Sequence, residues 1–345
     1  MLPQTPPAQA QPAQPLPPGS QRLITWHHAA LQTDAPPHTL PELLRDPAAL
    51  VWLDILGDGA SQEILLKEVF ELDPITIQNM REPKERARFI ELERYFYLVM
   101  HGMAFDAQTN EALTPKLDIV FGQNFMLTVH PEPLVWLDTL VDEVQAPGSG
   151  AHLMDRGVAV LLYALLDSLV ESYFPVLDDL DGLIDELEDI TATTASNDVQ
   201  LRIFRIKRAL AELRRVISPQ VEVANSLVFR AGKFIPVEAQ PYFAEVHDHL
   251  IRAFEVLDSY RDLMSGILDV YLTTVSNRLN VIMKQTAIIA TIFLPITFIT
   301  GVFGQNFGHL PQVENDSVGL FWWVLAVMAL ITVVQIWIFR KRGWF

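Results

Sequence analysis

The 345-residue chain is half apolar, carries a net charge of −17 and contains no cysteine. An acidic surface of that size repels nucleic acid and gathers cations. Disulfides and thiolate metal sites are excluded, so any metal must be held by oxygen or imidazole, and oxygen ligands suit hard ions such as magnesium.

Residues 1–20 are rich in Pro, Gln and Ala and lack the basic start and apolar centre of a signal peptide. They read as a disordered tail, which leaves the long segment behind them in the cytosol. Residues 21–150 read as a cytosolic α+β domain. Arg22–His28, Leu50–Leu56, Tyr95–Met100, Leu117–Phe121 and Phe125–Val129 have strand composition. Ser61–Leu72 places Ile64, Leu65, Val69 and Leu72 at helical spacing. The expected sheet is mixed and largely antiparallel, with Phe121-Gly122-Gln123-Asn124 as a hairpin turn.

Residues 151–240 read as helical arms. Val158, Leu161, Leu162, Leu165 and Leu169 form one apolar stripe, and Asp178–Asp189 is dense in acids. After a break at Thr191–Asn197, a basic helix carries Arg202, Arg205, Lys207, Arg208, Arg214 and Arg215. This predicts an antiparallel hairpin with complementary charged faces. The acidic run is either a solvated face or a cation-attracting rim. From Pro241 to Phe303 only Pro295 interrupts the helical pattern. At 1.5 Å per residue such a helix is roughly 90 Å long, which predicts a stalk that continues into a membrane.

Ala287–Phe303 and Val318–Phe339 are each long and apolar enough to cross a bilayer core of about 30 Å. Arg278 and Lys284 precede the first span and Arg340–Arg342 follow the second. The loop between them, 304–317, has no Lys or Arg but carries Glu314 and Asp316. By the positive-inside rule both termini, including the basic tail 340–345, are expected to be cytoplasmic and the loop external; the expected location is the cell's inner (plasma) membrane. One helix hairpin cannot enclose a water path, so transport requires several copies around an axis.

Steps of three and four from Asp269 reach Thr273, Ser276, Asn280, Met283, Ala287, Ala290, Leu294, Thr297, Gly301 and Gly304. This small and polar stripe has two readings. It is a tight helix-packing face with Met283 and Leu294 as knobs, or it lines a pore in which those two are apolar constrictions. The second span, 318–339, has no comparable stripe and is expected to face lipid. No H-E-x-x-H, P-loop or nucleophile elbow is present, and His247 and His249 fall on different faces of a helix, so no enzyme is expected.

The stretch from Val246 to Phe307, ending FLPITFITGVFGQNF, together with SYFPVLDDLDGLIDELED and LAELRRVISPQVEVANSL upstream, resembles the CorA family of divalent metal-ion (magnesium/cobalt) transporters. The resemblance covers nearly everything after the Pro-rich tail. It implies a funnel-shaped homopentamer with a large cytosolic domain, a stalk and pore-lining helix within 241–303, and an outer second helix. The family's outer signature is Gly-Met-Asn, and here it is Gly304-Gln305-Asn306. The Phe-Leu-Pro and Thr-Gly-x-Phe-Gly spellings are also similar to the zinc-transporting ZntB branch, so the departure at Gln305 leaves the choice of ion open.

By the resemblance, the chain needs no cofactor, and magnesium or another divalent cation is both substrate and regulator. Asn306 would hydrogen-bond the ion's own waters, and Gly304 would let the backbone turn. Asn280, Thr297 and Asp269 would add polar rings, with Gly301 beside them. Glu314 and Asp316 would attract cations or simply solubilise the loop. Asp106 and Glu245, with Asp248 as helper, match the family's cytosolic sensing acids between subunits. A ZntB-like zinc transporter and a membrane-anchored metal sensor without transport are the alternatives.

Overall fold

The computed structural model describes residues 20–33, 35–57, 60–106, 108–146, 150–230, 234–305 and 317–344. Most of the Pro-rich tail, Asn306, Glu314 and Asp316 lie outside the described residues. Contacts divide the chain into two compact units, Met1–Asp189 with Asn197–Ile267, and Ile190–Ser196 with Leu268–Phe345.

The strands of the first unit are β1 (Gln21–His27), β2 (Ala30–Thr33), β3 (Leu50–Leu56), β4 (Arg88–Glu91), β5 (Phe96–His101), β6 (Ala104–Asp106), β7 (Glu111–Leu113), β8 (Lys116–Phe121) and β9 (Phe125–His130). Seven of them form one sheet in the order β2-β1-β3-β9-β8-β5-β4, and β6 pairs with β7 apart from it. Every pair in the large sheet is antiparallel except β3 with β9. The expected mixed, largely antiparallel sheet is therefore present. Phe121-Gly122-Gln123-Asn124 does join two antiparallel strands. A Cβ on Gly122 would come within 2.4 Å of the Phe125 ring, while the Asn124 amide donates to the carbonyls of Leu43, Leu44 and Asp46.

β3, β5 and β8 are buried along their whole length because helices cover both sheet faces. One face packs Leu53, Tyr97, Val99 and Leu127 against Leu40, Leu66, Phe70, Ile77 and Met80. These come from α1 (Leu40–Leu43), α2 (Pro74–Arg81) and the segment between β3 and α2. That segment departs from the single helix expected at Ser61–Leu72. It is a 3-10 turn at Ala60–Gln62 followed by a π-helical turn at Leu65–Val69. The wider turn, closed by Phe70 N–H to Leu65 O, sends Leu66 and Phe70 inward and leaves Ile64 outside.

The other face is covered by helices from α3 (Val135–Gln145), α4 (Gly150–Asp155), α5 (Val158–Glu171), α6 (Tyr173–Thr193) and α7 (Asn197–Arg230). Gln220 of α7 accepts from the His101 backbone and from Tyr173 of α6, which fixes both helices to β5. Of the complementary charges expected across the arms, one ion pair joins α6 to α7, and another of the basic residues pairs with a later helix. Arg202 grips Glu186 through two hydrogen bonds, and Arg214 pairs with Asp258 on α8 (Gln240–Phe303).

A buried charge network crosses the sheet at Asp54. Arg22 donates to it twice, Thr128 donates at 2.5 Å and His130 Nε2 lies 3.2 Å away. Burial opposes the Asp54 charge, but His130, Arg22 and Thr128 hold the carboxyl below its ordinary range.

The second unit contains the remainder of α8 and α9 (Ser317–Lys341). The turn between α6 and α7 packs on α8 there. Tyr271 donates to Ser196 O, Thr274 to Thr191 O and Arg278 to Ala195 O. By length and composition α8 and α9 can each cross a membrane, and their apolar windows are only 6 % and 0 % buried. The apolar stretch Val158–Thr193 also meets that criterion, but 44 % of its window is buried, and Leu161, Leu162, Leu165 and Leu169 belong to the core of the first unit.

Candidate metal centre and membrane helix pair

α5 and α8 bring three metal-ligand types together in the first unit. Asp167 and Glu171 stand one turn apart on α5, and His249 reaches them from α8. His249 Nδ1 lies 3.5 Å from Glu171 Oε1 and 3.9 Å from Asp167 Oδ1. All three ligand atoms fall within 4.8 Å of one another. An edge contact with Phe174 sets the imidazole against α6. One turn before His249, Glu245 accepts a hydrogen bond from Tyr163 at 3.2 Å.

The electrostatics favour a cation here. Burial raises the Asp167 pKa, and repulsion from Glu171 and Glu245 adds to the rise against the pull of His249. Burial, then Asp167 and Glu245, push the Tyr163 hydroxyl up to about 12. A divalent ion would relieve both effects. Two carboxylates with one imidazole suit cobalt, nickel or zinc, and magnesium would use the carboxylates and its own waters.

His249 was not singled out as a metal ligand by the sequence. Its partners lie on a helix far away in sequence, and α5 reads mainly as an apolar core helix. The available signal was the spacing of Asp167 and Glu171, which puts two acids on one face of that helix.

The expected sensing acids occupy different surroundings. Asp106 ends β6, where its carboxylate accepts from Gln108 N and Thr109 Oγ1 and is held below its ordinary range by those bonds. Asp248 is exposed, 3.5 Å from His247. Within one chain, no group of three or more acids and histidines includes Asp106, Glu245 or Asp248 among the described residues.

In the second unit the small and polar stripe of α8 is uncovered. Asp269, Asn280, Met283, Leu294, Thr297, Gly301, Gly304 and Gln305 are all exposed. Lys284, Ile288, Ile292, Pro295, Ile296 and Ile299 are buried or half-buried. At about 100° per residue these occupy the opposite side of the helix from the stripe. Val324, Val327, Met328, Ile331, Thr332, Gln335 and Phe339 form the half-buried face of α9. Gln335 Nε2 donates to Thr291 O at 3.0 Å, and Lys284 Nζ donates to Gly343 O at 2.9 Å. α9 thus has a polar contact that was not expected of a lipid-facing helix. At the end of α8, Gly304 N–H bonds Thr300 O, and a Cβ on Gly304 would lie 2.9 Å from that same carbonyl.

The sequence profile of the family described as "CorA-like Mg2+ transporter protein" matches residues 47–341, from the approach to β3 to the end of α9. The chain belongs to the CorA family. It is 32% identical over 311 residues to the cobalt/magnesium transport protein CorA of Thermotoga maritima, covering 87% of this chain and 85% of that protein. The complete structure of the CorA magnesium transporter from Methanocaldococcus jannaschii superposes with a TM-score of 0.79 at 23% identity, over 94% of this chain and 98% of the other. The ZntB cytoplasmic domain from Vibrio parahaemolyticus gives a TM-score of 0.58 at 14% identity, over 74% and 98%. The CorA fold thus extends over both units, and part of it is shared with the ZntB cytoplasmic domain.

Proposed function

We propose that this chain is one subunit of a membrane transporter for divalent cations, with magnesium or cobalt as cargo, rather than a zinc transporter or a sensor without transport. The observation that carries the reading is the uncovered stripe on α8, opposite the face that packs on α9. A helix that needed only its hairpin partner would have no use for Asn280, Thr297, Gly301 and Gly304 on its far side. Several copies meeting along this stripe would close a polar path, and the family's membership supports five. Magnesium or cobalt is favoured over zinc because the family profile and the 32% identical relative are those of magnesium and cobalt transporters.

Magnesium gives up its water reluctantly. A ring of Asn306 amides at the mouth would accept hydrogen bonds from the hydrated ion, while Gly304 would let the backbone turn and keep the mouth open. Met283 and Leu294 would close the path by dewetting. On the cytosolic side, metal held by Asp167, Glu171 and His249, and by Asp106, Glu245 and Asp248 between neighbours, would favour a closed ring. It can do so only through differential affinity for the two states. Both termini would then be cytoplasmic.

The test is uptake into liposomes with magnesium, cobalt, nickel and zinc compared, alongside native mass measurement. The expected result is a pentamer that moves magnesium and cobalt, with uptake abolished and assembly intact in Asn306→Ala. A stable monomer, or near-normal flux in Asn306→Ala, would refute the pore.

A further inference from the structure

Pro295 lies inside α8. Proline has no N–H, so the carbonyl four residues back, that of Thr291, loses its helical donor. In water such a carbonyl would be solvated, but between two apolar membrane helices it needs a partner from the protein. Gln335 Nε2 lies 3.0 Å from that oxygen and donates to it. The neighbouring hydroxyl of α9, Thr332, is spent on Met328 O in its own helix.

We infer that Gln335 is a positioning residue of the pore: its amide supplies the donor that Pro295 withholds and so fixes the bend of α8. A proline bend here would fall between Leu294 and Thr297, two members of the uncovered stripe. Its angle would decide where Thr297, Gly301 and Gly304 stand relative to Met283, Ala287 and Ala290. A second tie sets the register below it. Lys284 donates to Gly343 O and lies 5.7 Å from the centre of the Trp344 ring. The part of α8 between these ties is held to α9. Beyond Pro295, Thr300 bonds only carbonyls of α8 itself, and among the described residues no side-chain hydrogen bond crosses to α9. Pro295 is thus the boundary between a segment tied to α9 by side-chain hydrogen bonds and one that meets it through apolar packing alone.

The other half of the amide separates positioning from stabilising. Gln335 Oε1 is buried without a partner. Replacing Gln335 with Met exchanges one unpaired acceptor, Oε1, for another, Thr291 O. Thermal stability should barely move, while α8 must bend differently or hydrate to satisfy the carbonyl.

The flux arm of the test rests on the transport reading, but the spectroscopic arm does not. Full-length protein in lipid bilayers is compared as parent, Gln335→Met, Pro295→Ala and the double variant. The readouts are the solid-state NMR shift of the Thr291 carbonyl carbon and magnesium uptake into liposomes. Gln335→Met is expected to move the carbonyl shift and change uptake by roughly three- to twentyfold, the range set by one intramembrane hydrogen bond. In the Pro295→Ala background, where residue 295 regains its N–H, Gln335→Met is expected to change neither. An unmoved carbonyl shift in Gln335→Met overturns the bond, whether or not the second background assembles. A moved shift with unaltered uptake overturns the positioning role. Equal effects of Gln335→Met with and without Pro295→Ala show that the amide does not act through the proline. A parent that moves no ion counts against the transport reading, and the carbonyl shift still decides the bond.

Discussion

His101 shows how one buried side chain links packing to pH. It ends β5 opposite Lys116 of β8, is 7% exposed, and its Nδ1 has no hydrogen-bond partner among the described residues. Burial, then the Lys116 charge, push its pKa down to about 4 from 6.5. The folded protein therefore binds fewer protons at His101 than the unfolded chain between these values. Stability is intact above pH 6.5 and is lost as pH falls toward 4, by at most about 3 kcal/mol. His101→Gln should flatten this acid limb in thermal unfolding of the purified protein between pH 7 and 5. The same slope in variant and parent would show that other groups carry it. The Asp167, Glu171 and His249 cluster works in the opposite direction, since burial and then the neighbouring acids raise the Asp167 carboxyl, a rise that a bound cation would relieve.

Among the elements, the β1–β2 hairpin carries a visible local cost. Its two-residue turn, His28 and Ala29, has φ of 51° and 57° without a glycine. Both residues fit the primed turn that such a hairpin demands, yet a Cβ is disfavoured there. Ala29→Gly should raise stability by about 1 kcal/mol, read as a higher melting temperature. An unchanged or lower value would mean that the turn is not strained. The same hairpin marks the limit of the sequence reading. Strands buried on both faces, such as β3 and β5, announce themselves through runs like LVWLDIL. β2, β4, β6 and β7 are short, mostly half-exposed pieces whose pairing depends on neighbours rather than on their own pattern, and none was foreseen. The stripe of α8 was legible because it obeys one period along one helix. The contact of Gln335 with Thr291 was not, because it joins two helices at a carbonyl that carries no side-chain signature. The metal cluster was missed for the same reason, since its donors come from α5 and α8.

For the whole molecule, two candidate sensing sites make different demands. Asp167, Glu171 and His249 belong to one chain, whereas Asp106 and Glu245 would need a neighbour to complete a site. Asp106→Asn with Glu245→Gln should abolish protection of the full-length protein from trypsin by magnesium, while conduction persists at millimolar internal magnesium. Asp167→Asn with His249→Ala should instead raise the cobalt needed for half-protection by about tenfold or more, the effect of losing about 1.4 kcal/mol of binding. Unchanged protection in both would move the sensor elsewhere, with the acids of Asp178–Asp189 as the next candidates.

The parallel pairing of β3 with β9 has a consequence for synthesis. β3 lies between β1 and β9 in the finished sheet, but Val51 cannot meet Phe125 until everything between them has left the ribosome. β8 and β9 close over a tight turn, so the centre of the sheet joins last, after its halves. Until then one edge of β3 is an unpaired, almost wholly apolar template for association with other nascent chains. Asp54 is the single charge in that strand. Before Thr128 and His130 of β9 reach it, it sits mid-strand as a gatekeeper, and the same carboxylate that crosslinks the finished sheet guards the unfinished one against aggregation.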